Sequence, residues 1–227
     1  MLTTEVGGEL LQLLPERAAY LPRHQTLWVA DVHIGKAQSF RRLGMPVPAG
    51  TTAASLQRLS QAVARTGAQH LVFLGDLLHS AQSEAPATWA AVAAWRAAHE
   101  TLQVTLVRGN HDLHAGDPPA IWRMQGVNGP LLLGGLALCH HPSPLPGSYV
   151  LAGHTHPAAV VGGRSGGRGS RGGGALRLPC FHFGAQVGVL PAFGEFTGMH
   201  VMPRQPGDRV YVVADNAVRA LTTLPAS

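Results

Sequence analysis

Residues 26–36 read Thr-Leu-Trp-Val-Ala-Asp-Val-His-Ile-Gly-Lys, an apolar run that ends at two side chains able to bind a metal, Asp31 and His33. The run is too short for a helix and has no 3.6-residue apolar stripe, so it predicts a buried strand. Side chains two residues apart on a strand point to the same side, so Asp31 and His33 could hold one cation. A surface loop after a strand would often contain such a pair, and the interpretation therefore depends on further ligands elsewhere in the chain.

The same pattern of an apolar run followed by ligand-type side chains recurs twice in the first half of the chain. The run 71–74 is followed by Gly-Asp at 75–76, and the run 104–107 is followed by Gly-Asn-His-Asp at 109–112. The segments of helical apolar spacing that separate the runs are 51–66 and 86–99. Alternating strands and helices predict a parallel sheet, whose ligand sites lie beyond the carboxyl ends of the strands. The three strand ends are therefore expected to converge.

Two more predicted strands in the second half end in histidines. The run 136–139 leads into His140 and His141, and the run 149–152 leads into Gly-His-Thr-His at 153–156. His140 is preferred to His141 as a ligand because it comes first after its strand, and its neighbour would face the opposite side. Further short strands predict a second sheet packed face to face with the first, with helices outside. Five strand ends with ligand-type side chains are hard to obtain without a metal.

Composition and charge narrow the class of protein. The chain has 227 residues, enough for a sizeable core, and we expect one domain over 1–227 with a flexible Gly/Arg-rich insert at 162–174. Seventeen Lys and Arg against 12 Asp and Glu give a net charge of +5, which favours a polyanionic partner. The two cysteines, Cys139 and Cys180, have no disulfide-framework or zinc-finger spacing. With no signal-peptide pattern and no membrane-spanning run, a cytoplasmic protein that does not bind a membrane is expected.

The stretch that follows the first two ligands is basic. Prolines 46 and 48 predict a loop over 37–48, and Lys36 and Arg41 could contact substrate phosphates there or be merely solvated. His79 could line the pocket, although a hydrogen bond at the start of a helix is the commoner role of such a histidine.

These blocks, D-x-H, G-D, G-N-H-D, a histidine after a strand and G-H-x-H, occur in this order in the calcineurin-like metallophosphoesterase superfamily, which the chain resembles. The resemblance implies an α/β fold, a four-layer α-β-β-α sandwich of two mixed β-sheets flanked by helices, with two divalent metal ions at the loop edge of the sheets. The ligands that it implies are Asp31, His33 and His156 for the first metal, Asn110, His140 and His154 for the second, and Asp76 as a bridge between both. It also implies that His111 contacts the phosphate and protonates the leaving oxygen, while Asp112 holds that imidazole.

The predicted ligand set also bears on the identity of the metal. With four imidazoles it is richer in nitrogen than magnesium prefers, which favours manganese, iron or zinc, and the resemblance favours Mn²⁺. Two such cations can activate a water and clamp the phosphoryl oxygens, so no protein nucleophile is needed. An imidazole titrates near neutral pH, as a general acid at position 111 requires.

A closer likeness narrows the substrate. Gly35-Lys36 after the first block and the Pro-x-Pro-x-Gly loop at 46–50 look like the bacterial ligase-associated DNA damage response endonucleases. This likeness implies a phosphodiesterase, a DNA endonuclease acting in repair beside a DNA ligase or a repair helicase. Two alternatives stay open: a phosphodiesterase of small substrates such as cyclic nucleotides or dinucleotides, and a non-catalytic binding module on the same fold. The complete ligand set and His111 argue against the last.

Overall fold

The computed structural model describes residues 1–47, 50–79, 86–162, 175–195 and 197–221. The predicted Gly/Arg-rich insert lies outside the described residues from position 163 onward.

The first sheet has seven strands that lie side by side in the order of the chain. They are β1 (Leu2–Val6), β2 (Glu9–Leu14), β3 (Ala18–Leu21), β4 (Thr26–Val29), β5 (His70–Leu74), β6 (Gln103–Val107) and β7 (Gln125–Val127). Strands β1 to β4 pair antiparallel, and β4 to β7 pair parallel. The carboxyl ends of β4, β5 and β6 therefore meet at one edge, as the alternation of strands and helices predicts.

The second sheet is built from the second half of the chain. Its strands in the described residues are β8 (Leu131–Leu133), β9 (Leu136–Leu138), β10 (Tyr149–Ala152), β11 (Pro157–Val161), β12 (Leu176–Phe183), β13 (Val187–Val189), β14 (His200–Val201), β15 (Arg209–Ala214) and β16 (Ala217–Ala220). They run in the order β14-β11-β12-β13-β10-β9-β8, with β15 and then β16 added beside β12. Strand β10 lies between two parallel neighbours, β9 and β13, so its carboxyl end lies beside that of β9.

The helices are α1 (Lys36–Arg42), α2 (Thr51–Thr66), α3 (Pro86–Ala98) and α4 (Asn110–Ala115). Leu59 of α2 and Trp95 of α3 share one buried cluster with Leu27 and Phe73 of the first sheet. The opposite face of that sheet presents Trp28, which belongs to a second buried cluster shared with strands of the second sheet. The prediction of two mixed sheets flanked by helices is confirmed. All four α-helices in the described part of the chain precede residue 116, so the helical layer seen there covers the first sheet.

The prediction of a loop over 37–48 is wrong at its start, because α1 occupies Lys36–Arg42. The prolines lie beyond Gly44 and restrict only the residues that follow the helix. In the described ranges, no helix is both long and apolar enough to cross a membrane.

Candidate metal centre

The seven residues that the sequence predicts as metal ligands lie together at one edge of the two sheets. They follow β4 (Asp31 and His33), β5 (Asp76), β6 (Asn110), β9 (His140) and β10 (His154 and His156). Two β-sheets from distant parts of the chain therefore supply one site. Its ligand-type atoms fall into two groups.

The first group consists of Asp31, His33 and His156. The Nε2 atoms of His33 and His156 are 3.4 Å apart, and Asp31 Oδ1 is 3.7 Å from His156 Nε2. Burial, assisted by the nearby Lys36 ammonium, lowers the pKa of His33 to about 2. The His33 imidazole is therefore neutral at physiological pH, which is the state that a metal ligand needs.

The second group consists of Asn110, His140 and His154. His140 Nε2 lies 2.9 Å from Asn110 Oδ1 and 3.1 Å from His154 Nδ1. The other ring nitrogen of His140, Nδ1, donates to the carbonyl oxygen of Leu74 at 3.0 Å. In the neutral imidazole this bond leaves a lone pair on Nε2, facing the acceptor oxygen of Asn110. Acceptors that face one another at such short distances fit a cation between them, so the residues present suit a metal.

Asp76 lies between the two groups. Its Oδ2 is 3.9 Å from His33 Nε2, and its Oδ1 is 3.4 Å from His140 Nε2. The residue is 2% exposed, so a carboxylate there depends on positive charge nearby. With one oxygen directed to each group, Asp76 is placed as a bridging ligand would be.

Unusual backbone conformations are concentrated at this edge. Ten non-glycine residues in the described part of the chain have positive φ, and five of them are predicted ligands: Asp31, His33, Asp76, His154 and His156. Such conformations cost on the order of 1–3 kcal/mol each and cluster at functional sites, because the surrounding structure must impose them. The strand-end loops are thus held in the shape that directs these side chains inward.

Glycines in three of the motifs lie directly against predicted ligand side chains, and a Cβ atom at Gly153 would collide with the Asp31 carboxylate. A Cβ atom at Gly75 would collide with the imidazole of His140, and a Cβ atom at Gly109 would collide with the Asp76 carboxylate. The glycines of G-D and G-N-H-D are therefore needed for close packing of the two metal groups.

We expect Gly109→Ala to lower diester hydrolysis by about 10²-fold or more, since an ångström-scale displacement of reacting groups can cost that much. The same variant should bind less metal, because its methyl group displaces Asp76. Gly184→Ala is the matched control, since the nearest atoms to its added Cβ lie 3.4 Å away. Equal turnover of bis(p-nitrophenyl) phosphate by both variants would contradict the packing role of Gly109.

His111 lies at the mouth of the site, in the first turn of α4. Its Nε2 is 3.9 Å from Asp76 Oδ2, and 38% of its side chain is exposed. Its Nδ1 donates to the carbonyl oxygen of His79 at 2.8 Å, which leaves Nε2 directed toward the space above Asp76. The position suits a group that meets a substrate from the open side of the metal centre.

The interpretation of Asp112 as the group that holds His111 is wrong. Both oxygens of Asp112 accept backbone hydrogen bonds, from Gly109 N at 2.9 Å and Leu78 N at 3.1 Å. The carboxylate therefore fastens the loop after β5 to the start of α4, and burial raises its pKa. It acts on His111 only indirectly, because it fixes the loop that carries the His79 carbonyl.

The sequence reasoning underrated His79, which belongs to the mouth of the site. Its ring stacks on His111 with centroids 5.3 Å apart, and its ligand-type nitrogen lies within 4.8 Å of those of His33 and His111. Burial lowers the pKa of His79 to about 4. The sequence feature that could have placed His79 at the site is its spacing, since it follows Asp76 by three residues in a short loop.

The remaining predicted residues take different positions. Lys36 is half-buried beside the centre, where burial lowers its pKa while the Asp31 and Asp76 carboxylates act in the opposite direction. Arg41 is exposed, about 140° farther round α1 from Lys36. His141, the rival of His140, is also exposed, with its ring 4.3 Å from that of His154. Substrate contact by Lys36 or Arg41 stays a prediction.

Comparisons with known proteins identify similar sequences and similar solved structures. Residues 24–142 match the sequence model of the calcineurin-like phosphoesterases. The crystal structure of the nuclease MPE from Pseudomonas putida superposes with a TM-score of 0.83 at 43% identity, over 97% of this chain and 99% of that one. Yfce, a phosphoesterase from E. coli, gives a TM-score of 0.41 at 16% identity, over 88% of this chain and 99% of that one. No curated protein matches the chain.

Proposed function

The chain belongs to the calcineurin-like phosphoesterase family, and from this premise we propose that it is a two-metal phosphodiesterase that cleaves DNA. The observation that carries the proposal is Asp76, which lies between two groups of ligand atoms and beside His111. The Pseudomonas putida protein, which is 43% identical over nearly the whole length of both chains, is a nuclease.

The residues that would hold the metals are the two groups described above, joined by Asp76. When bound, two cations supply Lewis acidity toward the phosphoryl oxygens and lower the pKa of a water molecule. The donor set mixes imidazole nitrogens with carboxylate and amide oxygens, a combination that suits manganese, iron or zinc better than magnesium. We propose Mn²⁺ as the metal in both positions.

The chain's own groups would handle the substrate and the proton. Because the His79 carbonyl accepts a hydrogen bond from Nδ1 of His111, the Nε2 atom faces outward, and in the imidazolium form of the ring it can deliver its proton to the leaving oxygen. Lys36 lies close enough to Asp31 and Asp76 to interact electrostatically with both carboxylates. Its ammonium group is therefore beside the metal centre, where it can bind a non-bridging oxygen of the phosphate. The loops after β4 and β6 hold Lys36 and His111 at the edge of the first sheet.

The charge of the chain supports a polyanionic substrate. A net charge of +5 and a pI of about 10 favour nucleic acid over a neutral or cationic partner. Action in DNA repair beside a ligase or a repair helicase is part of this proposal and rests on the sequence likeness, and a location in the cytoplasm is proposed with it. Cleavage of small cyclic or dinucleotide diesters is the competing activity.

The test is metal-dependent hydrolysis after chelation and re-addition of manganese. We expect turnover of bis(p-nitrophenyl) phosphate, and nicking of circular single-stranded DNA that falls steeply with salt, because polyanion binding releases counterions. The corresponding monoester is run in parallel to separate diesterase from monoesterase activity.

Three other outcomes discriminate between the functions. Diester turnover with all DNA left intact would indicate a small-substrate phosphodiesterase. Turnover of the monoester alone would indicate a phosphatase, and no turnover with any metal would support a binding module.

A further inference from the structure

A cavity of about 240 Å³ opens beside the metal centre and shares His156 with it. Its other walls include Arg17, Pro157, Ala192 and Thr197. This volume lies below the roughly 300–1,000 Å³ of pockets that hold drug-sized ligands, so it suits one unit of a polymer and not a large ligand.

The cavity is built on the same backbone as the first metal group. Phe193 N donates to Ala30 O at 2.8 Å, and Gly194 N donates to Asp31 O at 3.1 Å. The wall from Ala192 to Gly194 is therefore fastened to the segment that carries Asp31. Arg17 reaches the same edge because it lies in the turn between β2 and β3, and β3 pairs antiparallel with β4.

Among the described residues that line this cavity, Arg17 supplies the single guanidinium or ammonium group. Its Nη1 makes one long bond, 3.5 Å, to the carbonyl oxygen of Ala192. Within the described ranges no carboxylate forms an ion pair with it, whereas Arg58 pairs with Glu195 at 2.8 Å and Arg65 pairs with Glu16 at 2.9 Å. The charges of Arg58 and Glu195 cancel each other. The group formed by Arg17, Arg58 and Glu195 therefore carries one net positive charge.

Two further observations indicate that the Arg17 guanidinium is held at this position at a cost in free energy. Burial and the neighbouring Arg58 guanidinium lower the pKa of Arg17, and only the Glu195 carboxylate acts against them. The backbone of Arg17 has φ of 62°, as strained as that of the predicted metal ligands. A charged donor placed in this way gains most from an anion that enters the cavity.

We propose that this cavity is a subsite for the nucleotide adjacent to the scissile bond, and that the Arg17 guanidinium binds that nucleotide's own phosphate. The inference rests on the proposed function, since it requires a substrate with a second phosphate next to the one that is cut. A fork of N–H donors matches the oxygens of a phosphodiester, and a flanking phosphate lies one backbone repeat from the metals. Arg17 is therefore a positioning group for DNA that has no part in hydrolysis of an isolated diester.

The experiment compares Arg17→Gln with the parent on substrates that differ only in phosphate number. Dinucleotides with and without a terminal phosphate, at the 5′ or the 3′ end, are assayed with bis(p-nitrophenyl) phosphate. In the parent, one of the two terminal phosphates should lower KM about tenfold, as a charge-assisted hydrogen bond allows, and this gain should vanish in Arg17→Gln. The kinetics of bis(p-nitrophenyl) phosphate and the manganese content should be unchanged. Salt dependence of single-stranded DNA binding should lose about 0.7 from its log–log slope.

Controls separate binding from folding. Arg23→Gln removes the same charge from an exposed side chain in the connection between β3 and β4, at the opposite edge of the sheet, and should leave every readout at the parental value. Arg17→Lys keeps the charge and should recover part of the lost affinity; its melting temperature and that of Arg17→Gln are measured alongside.

Two results would overturn the inference in different ways. If the parent and both Arg17 variants cut DNA equally well, the subsite is contradicted and the proposed nuclease activity is retained. If the parent hydrolyses the small diester but leaves DNA and dinucleotides intact, both the proposed function and the subsite are contradicted.

Discussion

Replacement of Asp76 by asparagine is expected to empty both metal positions together and to lower manganese-dependent diester hydrolysis by at least ~10³-fold, about 4 kcal/mol of transition-state stabilisation. The reason is the placement of the carboxylate, whose two oxygens face His33 and His140 separately. The amide of asparagine carries no negative charge, so both groups lose the anionic ligand that they would share. Metal content after equilibrium dialysis and turnover of bis(p-nitrophenyl) phosphate are the two measurements.

The fold should survive this change. Asp76 Oδ1 accepts a hydrogen bond from the backbone N–H of His111 at 3.0 Å, and an asparagine oxygen can accept the same bond. Asp215→Asn, at the exposed turn between β15 and β16, is the matched control and should keep both metals and full activity. Loss of one cation with the other retained would contradict the bridging role.

Replacement of His111 by alanine is expected to separate two activities. Turnover of bis(p-nitrophenyl) phosphate should stay within a few-fold of the parent, because its leaving group departs without a proton. Cleavage of DNA, whose leaving alkoxide needs protonation, should fall by about 10²–10⁴-fold, the usual contribution of a general acid. Parallel assays on the two substrates, with metal content measured in the same samples, give the answer.

His114→Ala is the control for damage to α4. His114 lies on the same short helix, is exposed, and bonds the carbonyl oxygen of Asn110 through Nδ1 at 2.6 Å. If both variants lose DNA cleavage equally, the effect belongs to the helix. If His111→Ala loses metal, the imidazole is a ligand beside His33 and His79, and its assignment as the acid is wrong.

The convergence of the seven candidate ligands could be predicted from sequence because each follows an apolar strand. Parallel strands joined by helices place their carboxyl ends at one edge, so position along the chain translates directly into position in space. Identification of the family supplied the pairing of these residues into two groups. The glycines at 75 and 109 fit the same logic, because a strand end packed against a neighbour's ligand has no room for a side chain.

The parts that could not be predicted depend on contacts between loops. Asp112 follows His111 directly and reads as its partner, yet its oxygens bind backbone groups from two different loops. Helix α1 was not predicted, because the prolines at 46 and 48 indicate a loop although they restrict only residues beyond the end of the helix. None of these contacts has a periodic signature in the chain.

The hydrogen bond that orients His111 also bears on how this enzyme tolerates change. The acceptor is a main-chain oxygen of residue 79, so every amino acid at that position carries it. A scan of single substitutions at residue 79 would therefore return no orienting side chain for His111, whereas an insertion or a proline in the loop after β5 would displace the acceptor. The alignment of His111 thus depends on the path of the loop, which the Asp112 carboxylate fastens, and not on the side chain at position 79.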